Sequence, residues 1–107
     1  MANTYGRIAA SRPADTNEAA LYLVPASTQI VGNLRICNQD TAQRTYRVAH
    51  CDATGAATGE DWIAYDVPID AGETHEYSIA ANAAEEIRVK ASVADKLSFV
   101  LSGCIIA

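Results

Sequence analysis

The chain has 107 residues, half of them hydrophobic, and a formal charge of −5. This size predicts one domain that buries roughly 60–70% of its unfolded surface around a single core. The eight basic and thirteen acidic residues are interspersed, and without a Lys/Arg cluster the electrostatic footprint of a nucleic-acid binder is missing. No apolar run approaches the roughly 20 residues of a membrane-spanning helix. Residues 1–7 lack the apolar stretch of a signal peptide, so synthesis and folding are expected in a cytoplasm.

Residues 1–18 read as an extended N-terminal arm. Within it Tyr5–Ala9 can pair as a short strand, while Ser11–Asn17 is polar and turn-rich. Ala20–Val24 is a short strand stopped by Pro25. Thr28–Asn38 is the longest strand candidate, with Ile30, Gly32, Leu34 and Ile36 on one face and Val31, Asn33, Arg35 and Cys37 on the other. A turn at residues 38–41 leads into Arg44–His50, with Tyr46 and Val48 inward, and the two runs read as a hairpin with a longer loop. Residues 52–60, small and with two glycines, form a flexible loop tip. Asp61–Val67 resumes a strand that Pro68 ends, in which Ile63, Tyr65 and Val67 alternate with Trp62, Ala64 and Asp66.

A turn at residues 70–73 precedes a strand at Thr74–Ile79, and residues 80–84 can form one helical turn. Glu85–Val93 and Leu97–Ser102 then alternate with period two, and Cys104–Ala107 ends the chain. Seven to eight short strands at this spacing predict an all-β fold: a single antiparallel β-sandwich over residues 19–107, preceded by the arm. The predicted core is Leu34, Ile36, Tyr46, Val48, Ile87, Val89, Phe99 and Leu101.

The chemistry-bearing residues form no catalytic pattern. Cys37, Cys51 and Cys104 include no CxxC pair and read as reduced thiols, two of them in apolar runs. His50, Cys51 and Asp52 are adjacent, but neighbouring strand residues point to opposite faces, whereas a nucleophilic Cys needs its base across space. A zinc site would need His50, Cys51, His75 and Cys104 to converge without a recognisable knuckle. Asp52, Glu60, Asp61 and Asp66 do not follow the spacing of a calcium-binding loop. Asp66 with Glu73 or Glu76 offers the two carboxylates of a glycosidase, with nothing to place them in a cleft. The expectation is therefore a chain without enzymatic activity, cofactor or essential metal. Trp62, Tyr65, Tyr22, Tyr46 and Tyr77 read as core or cross-strand aromatics before they read as a glycan platform. In the arm, Tyr5 and Ile8 are apolar anchors in a polar stretch, and Arg7 and Arg12 can pair with carboxylates of a neighbour.

Leu21–Thr28, Leu34–Asn38, Thr45–Ala49 and Ile63–Ile69, followed more loosely by Val89–Ala94 and Leu97–Gly103, resemble in order the small virion proteins of tailed bacteriophages. The likeness spans residues 21–106. One departure is Gln39, where those proteins carry Arg after the Cys-Asn pair. The resemblance implies a virion structural protein of head decoration (cement) type. Its implied partners are the major capsid protein and itself, as a homotrimer at a local symmetry axis, with no nucleic acid and no membrane. It carries over no catalytic residue. Tyr5, Arg7, Ile8 and Arg12 are then the expected capsid or subunit contacts. The alternative is a receptor- or glycan-binding β-module on a tail or fibre, which would need exposed aromatics such as Trp62 or Tyr65.

Overall fold

The computed structural model describes residues 3–107. Eight strands form: β1 (Asn3–Ser11), β2 (Ala19–Leu23), β3 (Gln29–Asn38), β4 (Arg44–Cys51), β5 (Trp62–Ile69), β6 (Thr74–Ala81), β7 (Glu86–Ala91) and β8 (Leu97–Ile106). They lie in two four-stranded sheets, with orders β1-β8-β3-β6 and β2-β7-β4-β5. Every pairing is antiparallel. The fold is the expected all-β antiparallel sandwich, and its connectivity is more specific than that expectation. β1 pairs with β8, β2 with β7, β3 with β6 and β4 with β5. A long antiparallel ribbon folded at the β4–β5 connection and rolled so that alternate pairs fall in opposite sheets has this order. It is the eight-stranded jelly roll.

Period-two burial builds the core. Along β3, Ile30, Leu34 and Ile36 are buried and Val31 and Arg35 are exposed. All eight predicted core residues are buried and belong to one apolar cluster. Ile69 and Leu97 from strand ends and Val24 from a connection are among the others that join it. Tyr46, itself buried, brings a hydroxyl to the edge of the core. That oxygen lies 2.6 Å from both His75 Nδ1 and the Tyr77 hydroxyl, joining β4 of one sheet to β6 of the other. The Tyr46 ring also meets Phe99 edge-on, with centroids 6.5 Å apart. Burial first, and then the Tyr77 hydroxyl, push the Tyr46 phenol well above its ordinary pKa, so it stays protonated.

Four local expectations are corrected. β3 and β4 do not form a hairpin, because they belong to different sheets. The segment between them is an arch held by Asn38, which is fully buried. The Asn38 side chain donates to the carbonyls of Ala42 and Ile69 at 2.9 and 3.0 Å and accepts from the Asp40 N–H at 2.9 Å. Its backbone N–H donates to Glu73 O, and its carbonyl accepts from Gly72 N–H. The corner therefore satisfies its own polar groups. Pro68 does not end its strand: β5 runs to Ile69, with Pro68 opposite Thr45. It is tolerated because β5 is an edge strand with one unpaired side. Residues 80–84 form no helical turn, since β6 continues to Ala81. A tight turn follows, closed by Glu85 N–H on Asn82 O with Ala84 at φ +69°. Finally, Gly103 does not divide the last segment; β8 is continuous across it.

Over Asn3–Ser11 the N-terminal segment lies against β8 as the edge strand of its sheet, as one of the sandwich's own strands. At the centre of that sheet Gly32 and Gly103 face each other. A methyl group on Gly32 would overlap the Ser102 carbonyl, and one on Gly103 would overlap the Val31 carbonyl. Both obstacles are backbone, so neither can swing aside. Phe99→Ala is expected to cost about 3–5 kcal/mol and Gly103→Ala about 1–3 kcal/mol, both measured by chemical denaturation. A negligible loss for Phe99→Ala would contradict its place in the core.

Candidate interaction surface

Directly opposed residues of antiparallel strands share a face, so register assigns the outer surface of the β1-β8-β3-β6 sheet. Tyr5, Cys104, Val31 and Ala80 form one outward row, and Arg7, Ser102, Asn33 and Ser78 form the next. Tyr5 is 75% exposed and Val31 52%. Arg35 and Glu76 pair at 2.9 Å further along the same face. Asn3, Thr4, Tyr5, Gly6 and Arg7 are all exposed. Thr4 is exposed even though its register partners Ile105 and Ile30 lie on the inner row, so the second sheet does not cover this half of β1.

Of the four expected contact residues, Tyr5, Arg7 and Arg12 are exposed. Ile8 differs. It sits where the β1–β8 register shifts and is half-buried against the core. Alternation already places Ile8 on the inner row with Thr4, and the bulge adds Ala9 beside it, opposite the buried Leu101. Ile8 anchors β1 to its own molecule.

A second surface feature lies on the outer face of the other sheet. Alternation separates Trp62 from Tyr65, yet their ring centroids are 5.4 Å apart. The cause is the β4–β5 register. Tyr46 and Val48 face Val67 and Ala64, two residues spanning three, and the step to Ala49 opposite Trp62 adds another shift. Asp66, at φ +51°, absorbs part of the excess in left-handed backbone. The bulge also aims Asp66 at Arg47, whose guanidinium makes two hydrogen bonds to it, at 2.7 and 3.1 Å. That guanidinium lies 3.9 Å from the Tyr65 ring centroid. The Arg47 hydrogen bonds outweigh desolvation and hold the Asp66 carboxyl below its ordinary value. Tyr65 is 55% exposed. The result is an ordered aromatic–cation–carboxylate patch on an edge strand.

The other constellations disperse. Asp66 pairs with Arg47 on one sheet and Glu76 with Arg35 on the outer face of the other, so they do not confront each other across a cleft. Glu73 is engaged by His75 and the Asp70 N–H. His50 turns to Glu85 at 2.7 Å, and His75 turns to Tyr46. Cys51 is buried, and burial together with nearby Asp61 pushes its thiol up to about 11, leaving little thiolate at neutral pH. Among the described residues, no group of three or more His, Cys, Asp or Glu is placed to hold a metal ion. The surface concavities are shallow and open to solvent.

The loop at residues 52–60 is tied down, contrary to its expected freedom. Ala57 N–H donates to Glu18 at 3.0 Å and Gly55 N–H to Glu86 at 3.4 Å. Arg88 bridges the two carboxylates and is itself well shielded. At the loop's far end the Thr58 N–H and hydroxyl donate to Asp61. No residue spacing announces this clasp, because its members lie 39 and 70 residues apart in sequence. No protein-family model and no curated protein sequence matches the chain.

The clasp has a pH signature. Burial works against the charge of Glu18, but the Ala57 N–H and Arg88 outweigh it and hold the carboxyl below its ordinary 4.5. A depressed folded pKa contributes stability that is present above the unfolded value and is lost as pH falls through the folded one. The Ala57 amide is therefore expected to lose hydrogen-exchange protection below about pH 4.5 while β3 and β8 stay protected. Glu18→Gln is expected to show the weak protection at neutral pH as well. Equal protection in both proteins across this range would refute the clasp.

Proposed function

We propose that the chain is a bacteriophage virion structural protein, a decoration (cement) protein that binds the head shell with the major capsid protein as its partner. The observation that carries the reading is the ordered likeness of residues 21–106 to small tailed-phage virion proteins, joined to a jelly-roll connectivity that viral capsid domains also use. Fold alone assigns no function, but the surface is consistent with this one. Its distinctive features are exposed edges and faces with shallow concavities, as suits a protein that works by contact. A rigid module repeated over a lattice gains from multivalent engagement even where each contact is weak. Tyr5, Arg7 and Arg12 are the contact residues, either to the shell or to a neighbouring copy. Self-association, as a trimer on the symmetry of the shell, belongs to the same reading, as does a non-enzymatic role without metal or cofactor.

One observation favours a second reading. The Trp62–Tyr65–Arg47–Asp66 patch offers a half-exposed ring beside fixed polar groups. That combination suits a sugar ring, and jelly rolls also serve as lectin domains. On this reading the chain is a receptor- or glycan-binding module of a tail or fibre.

The deciding measurement is occupancy on the particle. Purified chain added to heads that lack it is expected to bind saturably, at hundreds of copies per head, and to raise the temperature at which heads rupture. A handful of copies confined to tails, with glycan binding abolished by Tyr65→Ala, would establish the second reading instead. No binding to either structure would overturn both.

A further inference from the structure

The free edges of the β1-β8-β3-β6 sheet differ in character. β1 carries Arg7, Arg12 follows it directly, and residues 1–14 contain no acidic residue. The remainder holds six cations against thirteen carboxylates, a net of −7. Arg35, Arg44, Arg47 and Arg88 are each in an ion pair, whereas among the described residues Arg7 and Arg12 have none. At the other edge, β6 carries Glu76 and follows Asp70 and Glu73. Its pairing with β3 runs from Thr74 to Ala81 without a register shift. The remaining edge strands, β1, β2 and β5, all contain one. Bulges blunt an edge against strand addition. β6 lacks that protection, and β1 is regular from Asn3 to Arg7, before its bulge.

We propose that β1 of one copy adds to the free edge of β6 of a second copy, extending the sheet from molecule to molecule. Unpaired backbone N–H and C=O groups on both edges supply the ladder, as in strand addition generally. Charge selects this pairing over the other two. β1 against β1 would bring two basic strands together, and β6 against β6 would bring Glu76 towards a second Glu76. Only β1 against β6 sets Arg7 against a carboxylate, that of Glu76, which would then lie between Arg7 and the Arg35 it already pairs with. Side-chain size agrees. The outward residues of β6 include Ser78 and Ala80, which leave room beside the exposed Tyr5 ring. Tyr and Arg are also the residue types that most often carry interface energy. The contact is heterologous, with different surfaces on the two copies, so it closes into a ring or grows into a filament. It concerns only what β1 meets and holds whether or not the chain belongs to a virion.

The test is sedimentation of the full chain in solution, with no particle present. Wild type is expected to self-associate, more weakly as salt rises because the charged part of the contact is screened. Arg7→Glu/Arg12→Glu and, separately, Glu76→Arg are each expected to weaken association roughly tenfold or more. The affected side chains are exposed, and unchanged melting temperatures and circular dichroism will confirm that both variants fold. Mixing the two variants sets opposite charges together at both mixed β1–β6 contacts, so the mixture is expected to associate where each alone does not. A monomeric wild type at low salt would overturn the proposal. So would variants that associate as wild type does, or a mixture that fails to recover.

Discussion

The sandwich rests on the ten-residue ladder between β3 and β8, Gln29–Asn38 against Leu97–Ile106. Both strands are central: β8 receives β1 on its other side, and β3 receives β6. The inward residues Leu34, Ile36, Phe99 and Leu101 meet in this ladder and are fully buried. The ladder is also non-local, joining the first third of the chain to its end. Chain entropy must be spent before such contacts reward it. The backbones approach so closely at Gly32 and Gly103 that neither position has room for a side chain. A sheet that closes so long a stretch of chain and packs this tightly leaves few substitutions neutral along its middle.

Around that ladder, the buried polar groups are satisfied, and they also tie the two sheets together. Asn38 holds the arch that carries the chain from one sheet to the other, and its side chain reaches the end of β5 through the Ile69 carbonyl. Tyr46 bridges the sheets through His75 and Tyr77. No buried side-chain nitrogen or oxygen among the described residues lacks a partner. Hydrogen bonds of this kind contribute modestly to net stability, but leaving one unmade inside costs more than making it gains. They therefore act chiefly to select this arrangement of sheets over others with the same apolar pattern.

The surface divides the labour differently. Most of the arginines are consumed in ion pairs within the molecule, and a shielded one, Arg88, fastens the loop at residues 52–60 across the back of one sheet. Two arginines and the most exposed large apolar side chain remain on β1 and its continuation. An acidic body with a basic, apolar edge has directional contact preferences, which suits a protein that assembles. The aromatic patch around Tyr65 points the other way, towards a ligand. Within that patch Arg47 and Asp66 are already paired with each other.

Much of the fold was legible in the residues, because strand formation and burial follow a local rule: alternation with period two placed Leu34, Ile36, Val48, Val89 and Leu101 inside. The exposure of Tyr5, Arg7 and Arg12 was legible for the same reason, being a matter of polarity in a short segment. Which strand pairs with which was not. β3 and β4 have the alternation and spacing of a hairpin and are nevertheless split between sheets, because Asn38 is buried at a corner whose partners lie up to 35 residues away. Alternation also failed wherever a bulge inserted a residue: Ala9 joined Ile8 on the inner row, and Trp62 and Tyr65 came together. A bulge is fixed by the partner strand's register, which no window of single-chain sequence contains. The clasp of Glu18, Arg88 and Glu86 was invisible for the same reason. The sequence by itself determined the strands, most of their inward faces and the surplus of charge at one end. Tertiary structure decided pairing, register and every side-chain cluster on the surface, because those depend on distances between residues that the chain keeps far apart.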